Sequence, residues 1–467
     1  MKKIIIALIV VLVLFGLIGP KFTGNIFNNE LDNIAEAISQ QPMYKASIEK
    51  REQHWFSSTA ELIVSMDLDG MPEAQSFDAF SLTIPIEAQH GPFLTQGGVG
   101  IGWANWQINI ETPENFEGSV LDTDTSIIYQ ISARMGLLGT THYADKVPAL
   151  MYNDPASGAE LTFTGWAGEG RFNQDLIEYE GDTESFKINV NGKDVLDLSN
   201  MKIDMDIDAG LAQILEKTLY ASVSEISIDN LTFNDPESDD TGKLDNLLFT
   251  TTSSYNEKTD LGDILMSFKT QLIESPYANF NDIILDIEVR NLQGAFFKAY
   301  QDMTNRMLES PQASKDSIND LFEAPLLSQL QVNPEFNLPK LSGKVNDSAF
   351  EAFINTTLAD VQALPSPLED PAFWVQHALV DAKTTIEETA ALFFAEQSVK
   401  SQLTNNPQFA QMSEQEITQI ANQQAGATLA ALVQQGMLSK TDSGYEFTFT
   451  LKDAKAELNG NPMPLPF

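Results

Sequence analysis

The sequence predicts an α+β fold: an extended, twisted, mostly antiparallel β-sheet with helices packed on it in the C-terminal half, plus one N-terminal membrane helix. Three observations carry that expectation. Between residues 43 and 290 apolar and polar residues alternate with period two in one short run after another. Helical periodicity returns only after residue 290. An unbroken apolar run from Ile4 to Ile18 follows Lys2 and Lys3 at the start of the chain.

The apolar run is a translocation signal by its charge and hydropathy order, and no Ala-x-Ala-like cleavage site follows it. As a helix it covers roughly 22 Å at about 1.5 Å per residue, short of a hydrocarbon core of about 30 Å. Snorkelling by Lys3 and Lys21 closes the gap. Residues 1–22 are therefore expected to be an uncleaved anchor with Lys2 and Lys3 inside, the body lying in the periplasm of a Gram-negative cell. A cleaved, soluble periplasmic protein is the alternative. Residues 23–42 read as a juxtamembrane helix or stalk, because Ile26, Leu31, Ile34 and Ile38 recur at near-helical spacing.

In "STAELIVSMDLDG", Ala60, Leu62, Val64, Met66 and Leu68 interleave with Glu61, Ser65, Asp67 and Asp69, the pattern of a half-buried strand. Similar runs are "AFSLTIPIEA", "WANWQINIET", "TSIIYQISARM", "AELTFTGWAGEG", "SFKINVNGK", "NMKIDMDID", "SEISIDNLTF", "NLLFTTTSSY" and "NDIILDIEVRN". Gly, Asn, Asp and Pro bound them, which makes 43–290 one β-rich periplasmic region. From 291 to 467 an α+β region is expected to continue the sheet. Helices are expected at "NLQGAFFKAYQDMTNRML" and "SINDLFEAPLLSQL", then over about Asp370 to Lys400 and Ser413 to Gly436. The last begins on a Ser-x-x-Glu capping box. "NPEFNLPKLSGKVNDSAFEAFINTTLAD" and "YEFTFTLKDAKAELNG" return to strand.

Composition excludes several functions. Sixty-six acidic against 27 basic residues leave a formal charge of −39, which repels phosphate backbones, so no nucleic acid partner is expected. The absence of cysteine removes disulfides, thiolate nucleophiles and Cys-based zinc sites. "DMDIDAG" spaces Asp204, Asp206 and Asp208 like half a calcium loop. The places needing Gly and Glu, however, hold Ala209 and Leu215, and the plain reading is a strand with one wet acidic face. "SIEK", Ser47 to Lys50, matches Ser-x-x-Lys without its partner motifs. "GGVGIG" at 97–102 places Trp103 where a dinucleotide loop needs glycine. His54, His142 and His377 share no spacing motif. No catalytic residue, metal ligand or cofactor is assigned. The aromatic pairs Trp55–Phe56, Trp103 with Trp106, and Phe373–Trp374 read as core, with an apolar groove for acyl chains as the alternative.

The chain resembles the YdgA-like family of uncharacterised bacterial envelope proteins in an ordered set of motifs. These are "HWFSSTAELIV" at 54–64, "HGPF" at 90–93, "LLSQLQVNPEFNL" at 326–338, "GMLSKTDSGYEFTFTLKD" at 436–453 and "LNGNPMPL" at 458–465. Departures lie in the last third, where "VRNLQGAFFKAY" and "KDAKAELNG" replace the more usual forms. The resemblance implies an inner-membrane-anchored periplasmic protein and no particular reaction. It singles out His90, Gly91, Pro92 and Phe93, with Asn459, Gly460 and Pro462, as structural motif residues. Gly91 and Pro92 suit a sharp turn, across which His90 is expected to bond a backbone carbonyl. The functional expectation is a non-enzymatic binding or scaffold protein for a lipid, an envelope polymer or an envelope protein. The alternative is an envelope hydrolase using carboxylates.

Overall fold

The computed structural model describes residues 20–465 apart from 22, 30, 37, 40–43, 67–80, 97, 113–119, 122–125, 155–156, 211–212, 215–218, 236–239, 310–314, 367, 369, 407–408 and 410–411. The anchor expected at 1–22 thus lies outside the described residues, Pro20 and Lys21 excepted. Among the described residues no helix is long and apolar enough to cross a membrane. The chain divides into two compact units, Met1–Ser224 with Phe297–Phe322, and Glu225–Phe296 with Glu323–Phe467.

The strands of the first unit are β1 (Tyr44–Gln53), β2 (Ser57–Met66), β3 (Ser81–His90), β4 (Phe93–Leu94), β5 (Gly100–Ile101), β6 (Ala104–Glu111), β7 (Val120–Leu121), β8 (Ile127–Met135), β9 (Thr141–Val147), β10 (Leu150–Asp154), β11 (Ala159–Phe163), β12 (Trp166–Phe172), β13 (Ile177–Val190) and β14 (Lys193–Ile207). They pair antiparallel in the order β1–β2–β3–β6–β8–β9–β12–β13–β14. The second half of β13 pairs with β11 instead, which leads through β10 to β7.

Because side chains alternate along every strand, register decides which residues share a face. One cross-strand row reads Ala60, Ile86, Ile108, Ile131, Asp145, Gly168, Gly181, Ile203. The next on the same face reads Ser58, Ala88, Trp106, Ala133, Tyr143, Gly170, Tyr179, Met205. The opposite face carries Glu87, Gln107, Ser132, Glu169, Glu180 and Asp204. The segment expected to be helical at 23–42 is helical at the described residues 23–29, 31–36 and 38–39, as are Pro20 and Lys21, and it lies on the apolar face. Leu31 and Ala35 pack against Ala60, Leu62 and Ile86, with Phe27 and Ile38 alongside, while Ile26 points to solvent.

β15 (Ser222–Asn234) falls mostly in the second unit, with β16 (Thr241–Asn256), β17 (Leu261–Glu274), β18 (Asn279–Gln293), β19 (Glu335–Val345), β20 (Ser348–Leu358), β21 (Ala378–Glu387), β22 (Ser439–Lys440), β23 (Gly444–Lys452), β24 (Lys455–Leu458) and β25 (Asn461–Met463). Pairing is antiparallel throughout β16–β17–β18–β19–β20–β21–β23–β24–β25. The helices Gly294–Glu309 and Lys315–Gln331 occupy their expected places.

The long helix expected over Asp370 to Lys400 is three elements: a short helix Pro371–His377, strand β21, and a helix Glu388–Thr404. The strand wins at "ALVDAKTTIE" because Val380, Ala382, Thr384 and Ile386 fall on one side and pair with β20 and β23. The helix Glu414–Gln434 starts on the capping box of Ser413 and Glu416 and stops before Gly436 at φ 73°. The helices Glu388–Thr404 and Glu414–Gln434 pack together and onto the sheet through Ala391, Ala395, Ala425 and Leu429 against Tyr445, and through Ala390 against Val345 and Ala278.

Candidate functional site

His90 ends β3 on the apolar face and is only 1 % exposed. Its Nε2 lies 2.8 Å from Ser58 Oγ on β2, itself buried. The expected partner was a carbonyl across the turn; the hydroxyl wins because Ser58 faces the same side of the neighbouring strand. Nδ1 is buried with no hydrogen bond of good geometry. Burial pushes the imidazole below its usual range, the Ser57 backbone opposes that shift, and the Lys21 charge adds to it. Phe27 packs 6.0 Å from the ring, and a Cβ on Gly24 would come 3.1 Å from Nε2, so the start of the helix closes over the imidazole. No carboxylate hydrogen-bonds His90 among the described residues, and Ser58 and His90 are both buried.

What His90 holds is the base of a loop. Its N–H donates to Phe56 O at 2.8 Å, Gly91 N–H to Trp103 O at 2.7 Å, and Gly102 N–H to Pro92 O at 3.0 Å. The Gly91–Pro92 peptide is cis. A Cβ on Gly91 would fall 1.7 Å from Gly102 O, which leaves room for glycine alone. Phe93 pairs with Ile101 and projects its ring outward. Beyond it, Gln89 Oε1 accepts from Thr95 and Gln96 N–H at 2.7 and 2.9 Å, Arg134 donates to Gly98 O at 2.8 Å, and Trp103 Nε1 to Leu137 O at 3.0 Å.

A second cluster, invisible in the sequence, lies on the same face. Asp145 is buried, its Oδ2 3.4 Å from Tyr129 OH and its Oδ1 without a hydrogen bond of good geometry. Tyr143 and Tyr179 stack at 6.0 Å, and Trp166 Nε1 donates to Tyr179 OH at 2.7 Å. Burial, then the Asp145 charge, push the Tyr129 hydroxyl up to about 12. Tyr143 and Tyr179 are raised by burial as well. The rings lie over glycines. A Cβ on Gly170 would meet the Tyr143 ring at 2.7 Å, and one on Gly168 would meet Asp145 and Tyr179 OH at 2.3 Å. "GWAGEG" is thus spaced to admit aromatic rings, and nothing in its period-two pattern signals that.

The other residues singled out in the sequence stay apart. Asp204 and Asp206 are exposed beside Glu180 and Glu178 on the polar face, and no group of three or more such side chains is placed to hold a metal ion among the described residues. Lys50 of "SIEK" pairs with Glu61 at 2.9 Å. His54 lies 3.6 Å from Glu52, His142 is exposed on β9, and His377 Nδ1 sits 2.8 Å from Ala359 O. Asn459 and Gly460, at φ 49° and 75°, form the two-residue turn between β24 and β25, where Pro462 pairs with Glu457. Asn459 Oδ1 accepts from Thr448 N–H and its Nδ2 donates to Gly436 O, both at 2.8 Å.

The second unit presents an apolar face across five strands. Phe249, Phe268, Leu285, Leu341 and Ala352 form one cross-strand row, with Met266–Ile287, Leu338–Ile354 and Val289–Phe336 in the rows beside it. The helix pair covers this face at Phe350, Ile386 and Tyr445. Away from it, Phe249, Ile287, Ile354 and Phe336 are 37–49 % exposed. The other side of the sheet holds an open depression of about 630 Å³ lined by Asp282, Lys344, Glu351, Glu387 and Glu446. There Glu387 Oε2 accepts from Ala349 N–H at 2.8 Å and Glu446 pairs with Lys383 at 2.8 Å, so these carboxylates serve the sheet.

The chain belongs to the family described as bacterial protein of unknown function (DUF945), whose family model matches residues 1–466. No curated protein and no solved structure matches the chain.

Proposed function

We propose that this is a membrane-anchored envelope protein that binds an apolar ligand, an acyl chain being the best fit, on the exposed sheet face of its second unit, without catalysing a reaction on it. The observation that carries the reading is the row geometry of β16 to β20. Large apolar side chains from five strands share one face, and four of them remain well exposed beside the helix pair. Contiguous apolar surface of more than a few hundred Å² marks an interaction site far more often than an accident of folding. The N-terminal apolar run and the resemblance to YdgA-like envelope proteins support placement at the inner membrane with the body in the periplasm.

The test is native mass spectrometry of the full chain extracted from membranes, with lipid analysis of what co-purifies. Bound apolar ligand at defined stoichiometry is expected, and Phe336→Asp with Ile287→Asp should abolish it while leaving the melting temperature within a few degrees. A ligand-free mass for the unaltered chain would overturn the proposal.

A further inference from the structure

At one end of the first unit three connections lie side by side: residues 54–56 between β1 and β2, 91–103 between β3 and β6, and 136–140 between β8 and β9. Register fixes this, since Ser57 pairs with Gln89, His90 with Ala104, and Ala104 with Met135. Their tips are apolar and open to solvent. Trp55 and Phe56 are half exposed, Phe93 and Ile101 more so, Val99 is 92 % exposed and Leu138 99 %. Arg134, Gln89 and the Trp103–Leu137 bond fix the backbone behind them.

Charge makes the end distinctive. About one residue in seven of this chain is acidic, from 66 in 467, and none of the residues 54–56, 91–103 or 136–140 is Asp or Glu. In the sequence, the segments 67–80 and 112–119, which follow β2 and β6, contain Asp67, Asp69, Glu73, Asp78, Glu114 and Glu117. Among the described residues, carboxylates flank these tips only at Glu52, 3.6 Å from His54, and at Asp175 in the next connection along the sheet; exposed Trp, Phe, Leu and Val with few acids among them is the composition that sits at a membrane–water interface.

The helix gives the direction of the membrane. Gly24 lies against Gln53 and His90, and Asn25 accepts from Gln53 Nε2 at 2.9 Å, whereas Ser39 bonds Ala46 at the far end of β1. The N-terminal end of the helix therefore emerges among these loops, directly after the apolar run Ile4 to Ile18. We propose that the loop end of the first unit is a bilayer-docking surface, its tips entering the lipid interface beside the N-terminal anchor. The proposal rests on the anchor reading for its orientation.

Absence of cysteine makes the test clean. Val99→Cys, Leu138→Cys and, at the opposite end, Lys193→Cys are labelled with an environment-sensitive fluorophore in the full chain. The chain is reconstituted in phosphatidylethanolamine–phosphatidylglycerol vesicles with or without acyl-chain spin-labelled lipid. Blue-shifted emission that spin-labelled lipid quenches at Val99 and Leu138, and not at Lys193, is expected. Blue-shifted emission that the lipid does not quench would show a protein covering the tips and overturn the proposal. Emission like that at Lys193, from chain that resists alkaline extraction, would overturn it while leaving the anchor standing. Release of the chain by alkaline extraction would end both.

Discussion

Replacing Ser58 by alanine isolates what the histidine of "HGPF" contributes. Nε2 of His90 then keeps its burial and loses its side-chain partner at 2.8 Å. A buried polar atom left unpaired costs about 1–3 kcal/mol, and the lost oxygen leaves too little space for a large cavity contribution. At about 2–4 °C per kcal/mol for a unit of this size, the melting temperature should fall by several degrees. The ring also predicts a pH dependence. Burial holds its folded pKa below the ordinary imidazole value of about 6.5, so above that pH both states hold it neutral and its contribution is complete. As pH falls from 6.5 through the depressed value, the unfolded chain takes up a proton first, and stability drops by at most about 1.4 kcal/mol per pH unit. Lowering pH also relieves repulsion in so acidic a chain, so the readout is the difference between unaltered protein and His90→Gln. Urea unfolding at pH 8 and pH 5, followed by near-ultraviolet circular dichroism, measures both effects. A Ser58→Ala cost below about 0.5 kcal/mol, or an equal pH response in His90→Gln, would sink the assignment of His90 as a neutral structural pin.

Gly168→Ala places a methyl 2.3 Å from Asp145 Oδ1 and Tyr179 OH, and should cost about 1–3 kcal/mol as rings and carboxylate are pushed off the sheet. Thermal unfolding unchanged within a degree would show that the rings do not need the glycine. Gly460→Ala at φ 75° should cost about 1 kcal/mol, and Asn459→Ala more, because it also strips the bonds to Thr448 and Gly436. Hydrogen exchange should show the loss in β23 to β25 first; uniform change along the chain would contradict a local turn effect.

Much of the sheet was legible because period two is a local property: β2, β3, β6, β8, β14 and β18 lie where alternation places them. β21 was hidden because "ALVDAKTTIE" carries Ala, Leu and Lys that suit a helix, and only pairing with β20 and β23 decides it. "AELTFTGWAGEG" read as one strand and folds as β11 and β12, broken at Gly165 with φ 102°. The Asp145 cluster was out of reach for a different reason. Asp145, Gly168, Gly170, Tyr179 and Tyr129 are adjacent only through register across four strands, and no spacing along the chain encodes that.

The acidic composition has a structural share that a net charge conceals. Among the described residues, every non-glycine at positive φ except Lys50 and Ala454 is Asn or Asp, the types whose short polar side chains tolerate the left-handed region. Asp282 sits at a register shift of β18, and Asn346 with Asp347 makes the turn of β19–β20. Other acids, Glu169, Glu180 and Asp204, line the polar face of the first sheet. Acid is also frequent in the sequence between these strands, as in segments 67–80 and 112–119. Residues 54–56, 91–103 and 136–140, which carry none, depart from that pattern. The proposed docking of this end at a bilayer requires that composition, because a lipid interface disfavours carboxylates and accepts Trp, Phe and Leu.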